Sequence, residues 1–284
     1  MKNYSYTIRT MAKSDLGAAL DWAFHEGWNP GVHDAECFYV TDPKGYLLGL
    51  LDGIPISCIS AVSYNRSFAF LGLYLVHPDF RGKGYGLKIW KKAMEKLDRI
   101  TTIGLDGVVA QQENYKKSGF KFFSRNIRFH GKNQRYKFSA KDIVTISSIP
   151  FEKVLTYDRL HFPAPRPSFL RCFIKQSDHT ALGIIHRDNL IGYGVIRKCT
   201  YGYKIGPLFA ESPDIAETLF QALSNSIEEN ASIFLDVPEV NPHAVKIAKD
   251  HSMTPMFETA RMYKGPEPHL HLQNIFGVTT FELG

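Results

Sequence analysis

Apolar side chains recur along the chain with two periods, and the switches between them mark out the elements. Between residues 11 and 28, Leu16, Ala19, Leu20 and Ala23 lie at helical spacing, and Ser14 or Asp15 is placed to cap that helix. The turn formers Gly27-Trp28-Asn29-Pro30-Gly31 close it, and a short helix is expected over 34–38. The pattern then becomes that of strands. Runs at 46–51 and 54–63 flank Asp52-Gly53, a hairpin signal. A third run at 68–76 ends at His77-Pro78, because proline cannot continue a central strand. A helix over 86–97 follows, with Leu87, Trp90, Met94 and Leu97 on one face and lysines on the others. An apolar strand at 102–110, a short helix at 114–117 ended by Gly119, and a strand at 121–130 complete this half.

Residues 131–150 are polar and loosely patterned, which places a boundary there and divides the chain into 1–140 and 141–284. The Pro163, Pro165 and Pro167 run reads as an irregular segment. The second half then repeats the order of the first: a hairpin of 181–187 and 190–198 around Asp188-Asn189, a strand at 203–210, a helix carrying Ile215, Leu219, Ala222 and Leu223, a strand at 232–237, a short helix at 242–250 and a strand at 256–263. Such a repeat argues for a duplicated α/β fold. A final apolar segment, 275–283, reads as a strand that ties the sheets together.

Composition narrows the class. The 284 residues are 44% hydrophobic and 22% charged, as expected of a soluble globular chain with room for two cores. The four cysteines, Cys37, Cys58, Cys172 and Cys199, show no C-x-x-C spacing, and scattered free thiols fit a reducing cytoplasm. No signal peptide or membrane span is expected. His269 and His271 lack a third ligand nearby, so no metal is expected. The net charge of +6 suits a polyanionic partner or a solvated basic surface. No aromatic-basic module is visible, which disfavours nucleic acid.

The chemistry concentrates at Arg81-Gly82-Lys83-Gly84-Tyr85-Gly86, between a strand and a helix. Free backbone N–H groups and the positive end of the helix dipole there attract a diphosphate, and glycines let the backbone approach it. The spacing is neither a P-loop nor a Rossmann fingerprint. Following Val76-His77-Pro78, these residues resemble motif A of the GNAT superfamily of N-acetyltransferases, with Arg81, Gly84 and Gly86 in its defined positions. Gln111-Gln112-Glu113-Asn114-Tyr115-Lys116-Lys117-Ser118-Gly119-Phe120 resembles motif B. Glu26 to Gly31, Ile205-Gly206-Pro207-Leu208, Leu235-Asp236-Val237-Pro238 and Arg261-Met262-Tyr263 look like a subgroup of two-domain GNAT proteins whose C-terminal domain is itself a diverged GNAT-like fold.

The resemblance implies a mixed, mostly antiparallel central sheet flanked by helices, present twice. It implies transfer of an acetyl group from acetyl-CoA to a primary amine by direct attack in a ternary complex, with no metal. Cofactor contacts are expected from Arg81, Gly82, Lys83, Gly84, Tyr85 and Gly86, from the strand end Tyr74, Leu75 and Val76, and from Asn114, which is equally placed to act as a helix cap. Tyr115 is expected to protonate the CoA sulfur. Glu26 is the first candidate for general base, followed by His33 and Asp34. Acceptor contacts are expected from Trp28, Asn29 and Asp34, and from Asp236, Asn241, Arg261 and Tyr263 if the second half closes the cleft. The acceptor is a small-molecule amine or a peptide or protein amine, and the chain a monomer or homodimer. In the second half the corresponding turn, Glu211-Ser212-Pro213-Asp214, repels a diphosphate, so one cofactor per chain is expected. The rival reading is an acetyl-CoA sensor or scaffold without catalysis.

Overall fold

The structure is a computed structural model that describes residues 5–137 and 142–284, so the expected boundary at 140 lies outside the described residues. The first half runs β1 (Tyr6–Thr10), α1 (Lys13–His25), α2 (Asp34–Thr41), β2 (Tyr46–Leu51), β3 (Ile54–Ser63), β4 (Phe68–Val76), α3 (Tyr85–Lys96), β5 (Thr102–Val108), α4 (Gln112–Lys117) and β6 (Lys121–Lys132). The second runs β7 (Ile143–Thr145), α5 (Phe151–Asp158), α6 (Pro167–Phe173), β8 (His179–His186), β9 (Asn189–Lys198), β10 (Tyr203–Ala210), α7 (Pro213–Ser224), β11 (Ser232–Pro238), α8 (Pro242–Asp250), β12 (Thr254–Lys264) and β13 (Ile275–Gly277).

Several local expectations shift. Neither Ser14 nor Asp15 is the α1 cap: Ala12 takes that position, and Asp15, one turn inside, accepts its N–H at 2.7 Å. On α3 the buried face is Ile89, Trp90, Ala93 and the following Leu97, whereas Leu87 is 56% exposed. The second hairpin turns one residue earlier, at Arg187-Asp188, both with left-handed φ (47° and 64°) as a type I′ turn requires. The tail forms a strand only over Ile275–Gly277. Cys37 and Cys172, from α2 and α6, form a disulfide, and only Cys58 and Cys199 are free. The reducing compartment read from four free thiols therefore loses its basis.

The described strands form one sheet in the order β1-β2-β3-β4-β5-β12-β6-β11-β10-β9-β8-β7, with β13 against β10. Only β4·β5 and β10·β11 are parallel. The middle of the order carries the architecture. Strand β12 of the second half lies between β5 and β6, and β6 of the first half lies between β12 and β11. Each half thus inserts its last long strand beside the other's inner strand.

One apolar cluster packs α3 and α4 against the first half of the sheet through Ile89, Trp90, Tyr115 and Leu105. Another packs α7 and α8 against the second through Leu219, Leu223 and Ala248. A third joins α1 and α2 to α5 and α6.

Buried Arg–Asp pairs reinforce this join. Arg197 binds Asp34 at 3.0 Å, Arg128 binds Asp236 at 2.6 Å, Arg261 binds Asp106 at 2.5 Å and Arg166 binds Asp158 at 2.7 Å. The first three link the two halves. Such pairs fix one arrangement more than they add stability, but removing one partner strands a buried charge at a cost of about 3–5 kcal/mol.

Candidate active site

Strands β4 and β5 pair from Phe68↔Thr102 to Leu71↔Leu105 and then part, although β4 continues to Val76 and β5 to Val108. A register shift against β3 and a left-handed φ of 45° at Leu73 mark a bulge at the parting point. The far half of β4 is left without a β5 partner, facing a cavity of about 400 Å³.

At one end of this cavity lies the glycine turn. Gly82 and Gly84 have φ of 72° and 83°, and a Cβ on either would meet nothing within 4 Å. Conformation, not space, therefore demands glycine there. At Gly86 space is the reason: a Cβ would stand 2.9 Å from the Tyr74 hydroxyl, so α3 packs tightly on β4. The first turn of α3 holds no acidic residue, and its free N–H groups open on the turn. Arg81 lies across the turn, donating from Nε to the Val76 carbonyl at 2.9 Å and pairing with Glu26.

At the floor lies Tyr115, 7% exposed, its ring 5.5 Å from that of Trp90. A Cβ on Gly107 would run into the Tyr115 ring, so that glycine makes room for it. Burial pushes the Tyr115 hydroxyl well above the ordinary tyrosine range and keeps its proton on. The remaining wall is aromatic: Trp28 after α1, Phe257 of β12 and Phe281 of the tail, with Thr259 beside them.

Of the residues singled out in the sequence, Glu26, Trp28, Tyr74, Leu75, Val76, Arg81, Gly82, Gly84, Gly86 and Tyr115 line this cavity. The rest are placed elsewhere. Lys83 donates to the Asp79 carbonyl at 2.8 Å, and Tyr85 packs on Tyr6 with ring centroids 4.8 Å apart. Asn114 donates to the Gln111 side chain at 2.7 Å. Asn29 satisfies both backbone groups of Tyr201, at 2.8 and 3.1 Å.

Asp34 is fully buried against Arg197 and the Gly31 N–H, and so lies behind the wall, not in it. Asp236 is likewise buried against Arg128. Arg261 is spent on Asp106 and faces a separate pocket of about 40 Å³ with Tyr263. His33 sits on the surface against Asp178, 3.0 Å away, and Asn241 caps α8. Glu26 enters the cavity paired with Arg81. Sequence reasoning missed Phe257, Thr259 and Phe281. The alternation of Phe257 and Thr259 in β12 was visible, but the exchange that carries β12 beside β5, and the path of the tail that brings Phe281 there, were not.

The second half contains the equivalent parting of strands. β10 and β11 pair from Tyr203↔Ile233 to Ile205↔Leu235, after which β13 pairs with β10 through Leu208↔Gly277 and Val278 donates to the Asp236 carbonyl at 2.9 Å. That gap is filled by the chain itself.

Comparison with known proteins agrees with this duplication. The acetyltransferase (GNAT) family matches residues 14–120, and a second acetyltransferase (GNAT) domain family matches residues 154–277. The holothin acyltransferase of Pseudoalteromonas sp. (strain SANK 73390) is 31% identical over 283 residues, spanning 100% of this chain and 96% of that protein. The chain belongs to the GNAT family of acyltransferases. The uncharacterized N-acetyltransferase YitH of Bacillus subtilis is 23% identical over 191 residues, 66% of each chain. Among solved structures, a protein from Pyrococcus horikoshii superposes with a TM-score of 0.84 at 22% identity, covering 98% of this GNAT chain and 96% of its own. A tandem GNAT protein from the clavulanic acid biosynthesis pathway superposes with a TM-score of 0.63 at 15% identity, over 93% and 100%. These likenesses extend the two-domain GNAT fold over nearly the whole chain. No helix among the described residues is long and apolar enough to cross a membrane.

Proposed function

We propose that this acyltransferase moves an acetyl group from acetyl-CoA to a primary amine by direct attack, both substrates being bound together. The observation that carries this reading is the open parting of β4 and β5, with the glycine turn at one end and Tyr115 at its floor. The diphosphate is assigned to Arg81, Gly82, Gly84 and Gly86 and the start of α3, with Lys83 and Tyr85 contributing backbone and charge nearby. The amide-rich arm is assigned to the unpaired edge at Tyr74, Leu75 and Val76, where a β-strand would otherwise bind.

In the reaction the amine lone pair forms the C–N bond, and the C–S bond breaks with its electrons on sulfur. Tyr115 is the proposed proton donor to that sulfur, a role supported by its raised pKa, which keeps the proton on. A backbone N–H of β4 is the proposed donor to the oxyanion that forms as the amine adds. Glu26 takes the role of orienting Arg81, and Asn114 that of ordering the Gln111 side chain at the cavity rim.

Residues 1–140 are proposed to carry the CoA site and 141–284 to carry none, contributing Phe257 and Phe281 to the acceptor wall instead. Use of a CoA thioester would fit a cytoplasmic protein, and the oligomeric state proposed is monomer or homodimer. The names of two relatives, holothin acyltransferase and N-acetyltransferase, support acyl transfer as the shared chemistry, and the second supports nitrogen as the acceptor. The test is release of CoA thiol from acetyl-CoA across a panel of amines. Turnover with one of them supports the reading, and tight binding of acetyl-CoA without turnover on any amine moves the sensor reading to the front.

A further inference from the structure

The acceptor end of the cavity is built unlike its cofactor end. Its walls are the rings of Trp28, Phe257 and Phe281, brought from three distant segments. One fully buried cation braces all three from behind. Arg128 donates to the Trp28 carbonyl, and its guanidinium lies 4.9 Å from the Phe281 ring and 6.0 Å from that of Phe257. Its remaining N–H groups are locked on Asp236 at 2.6 and 2.7 Å. The two phenylalanine rings stand 6.3 Å apart at 50°. The aromatic surfaces are thus fixed planes, held before any acceptor arrives.

The second observation concerns charge. Among the described residues that line the cavity, the carboxylates are Glu26 and Asp106. Glu26 is paired with Arg81. Asp106 accepts from Arg261 at 2.8 and 2.5 Å and from Asn126 at 2.8 Å. Each is paired with a guanidinium, so neither stands as an unpaired anion to draw an ammonium. An alkylamine with a pKa of about 10.4 is neutral in only roughly one molecule in 2,500 at pH 7. Aromatic faces attract the ammonium form as well, but in that form the nitrogen has no lone pair and the complex is unproductive.

We infer that the acceptor is a flat amine of low basicity, its nitrogen conjugated to an aromatic or heteroaromatic ring that lies against Trp28, Phe257 and Phe281. This rests on the acetyltransferase reading above and narrows its acceptor. Such an amine is neutral at pH 7 and attacks without a dedicated base. The nitrogen lone pair bonds to the thioester carbon, the sulfur leaves with the C–S electrons and takes the Tyr115 proton, and the proton shed by nitrogen returns through water to the tyrosine. The products are the amide and the CoA thiol.

The isomers 4-methylaniline and benzylamine test this, since they share a formula and differ in basicity. Thiol release from acetyl-CoA is followed with the full chain between about pH 6.5 and 8.5. The expected result is a kcat/KM for 4-methylaniline about tenfold or more above that for benzylamine and independent of pH. Phe257→Leu and Phe281→Leu are each expected to raise its KM by about five- to tenfold, with acetyl-CoA affinity by calorimetry unchanged. A preference for benzylamine, with kcat/KM climbing about tenfold per pH unit, overturns the inference and leaves the acetyltransferase reading standing. Acetyl-CoA binding with neither isomer acylated also overturns the inference alone. Failure to bind acetyl-CoA at all overturns both.

Discussion

Strands β4 and β5 part after Leu71 and Leu105, and β10 and β11 part after Ile205 and Leu235, but what enters the two gaps differs. The first opens on a cavity with a glycine turn at its end. The second takes in β13, whose Gly277 sits where its own Cβ would stand 2.9 Å from Leu235. The helices that follow also differ. α3 begins from left-handed Gly84 with no acid in its first turn, whereas α7 begins from Ser212, whose hydroxyl accepts the Ile215 N–H at 3.4 Å, with Pro213 and Asp214 in its first turn. One copy leaves its helix-start N–H groups without a side-chain cap, and the other caps one of them and lacks another at Pro213. The lesson is that a duplicated fold can keep one parting of strands open and turn the other into a brace by filling it from its own chain.

The brace then serves the site. After filling the second gap, the same segment runs to the first, where Phe281 joins the cavity wall and the Glu282 carbonyl packs on Gly72 of β4, a position where any Cβ would collide with it. Exchange of β6 and β12 adds Phe257 to that wall. The second half therefore contributes to the wall of the first half's cavity, while its own gap is filled by β13.

The contrast can be broken most severely at the glycine turn. Gly84→Asp places a side chain at φ 83° and an anion where a diphosphate is expected, and should abolish acetyl-CoA binding and turnover, while Asp214→Gly at the second turn should leave binding unchanged. Next in size is Tyr115→Phe, expected to lower kcat by about 10²- to 10³-fold in steady-state assays with acetyl-CoA affinity retained. Because the Tyr115 pKa is raised, its proton stays on as pH climbs, and the wild-type rate should show no alkaline fall from this group below about pH 10.

A change confined to the second half should touch stability only. His161 stacks on Phe209 of β10 at 4.6 Å, and burial pushes its pKa down to about 4. Between that value and the unfolded value of about 6.5, the unfolded chain binds more protons, so stability falls as pH drops through this window, by up to about 3 kcal/mol. His161→Phe should flatten that part of the denaturation curve and leave acetyl-CoA binding intact. The smallest effect is expected from Glu26→Gln: a KM for acetyl-CoA raised by about three- to fivefold with kcat unchanged, as loss of an exposed ion pair predicts. A hundredfold loss of kcat would instead return Glu26 to the role of base.

The strand that ends at His77-Pro78, the glycine turn and the repeated element order were legible, because each rests on short-range rules of period, φ and helix ends, whereas Tyr115 stood out through the resemblance to motif B. What was not legible depends on neighbours in space. Alternation in β6 and β12 says which residues share a face but not which strand lies alongside, so the exchange and the Phe257 wall stayed hidden. Asp34 reads as a site residue from its place beside the turn-rich segment and Asp236 from a cleft between the halves, yet Arg197 and Arg128, distant in sequence, bury them. Leu87 read as core by its helical spacing, but it lies exposed at the cavity, the side of α3 where the sheet has opened. The tail reads as a strand that ties the sheets together, but nothing local says that only Ile275–Gly277 pairs or that it closes the second gap.

The most direct test of the difference between the two gaps is calorimetric titration of the full chain with acetyl-CoA. A single site per chain, lost in Gly84→Asp, is the predicted result. Two sites per chain, or one that survives Gly84→Asp, would contradict the assignment of the open gap as the CoA site and the filled one as a brace.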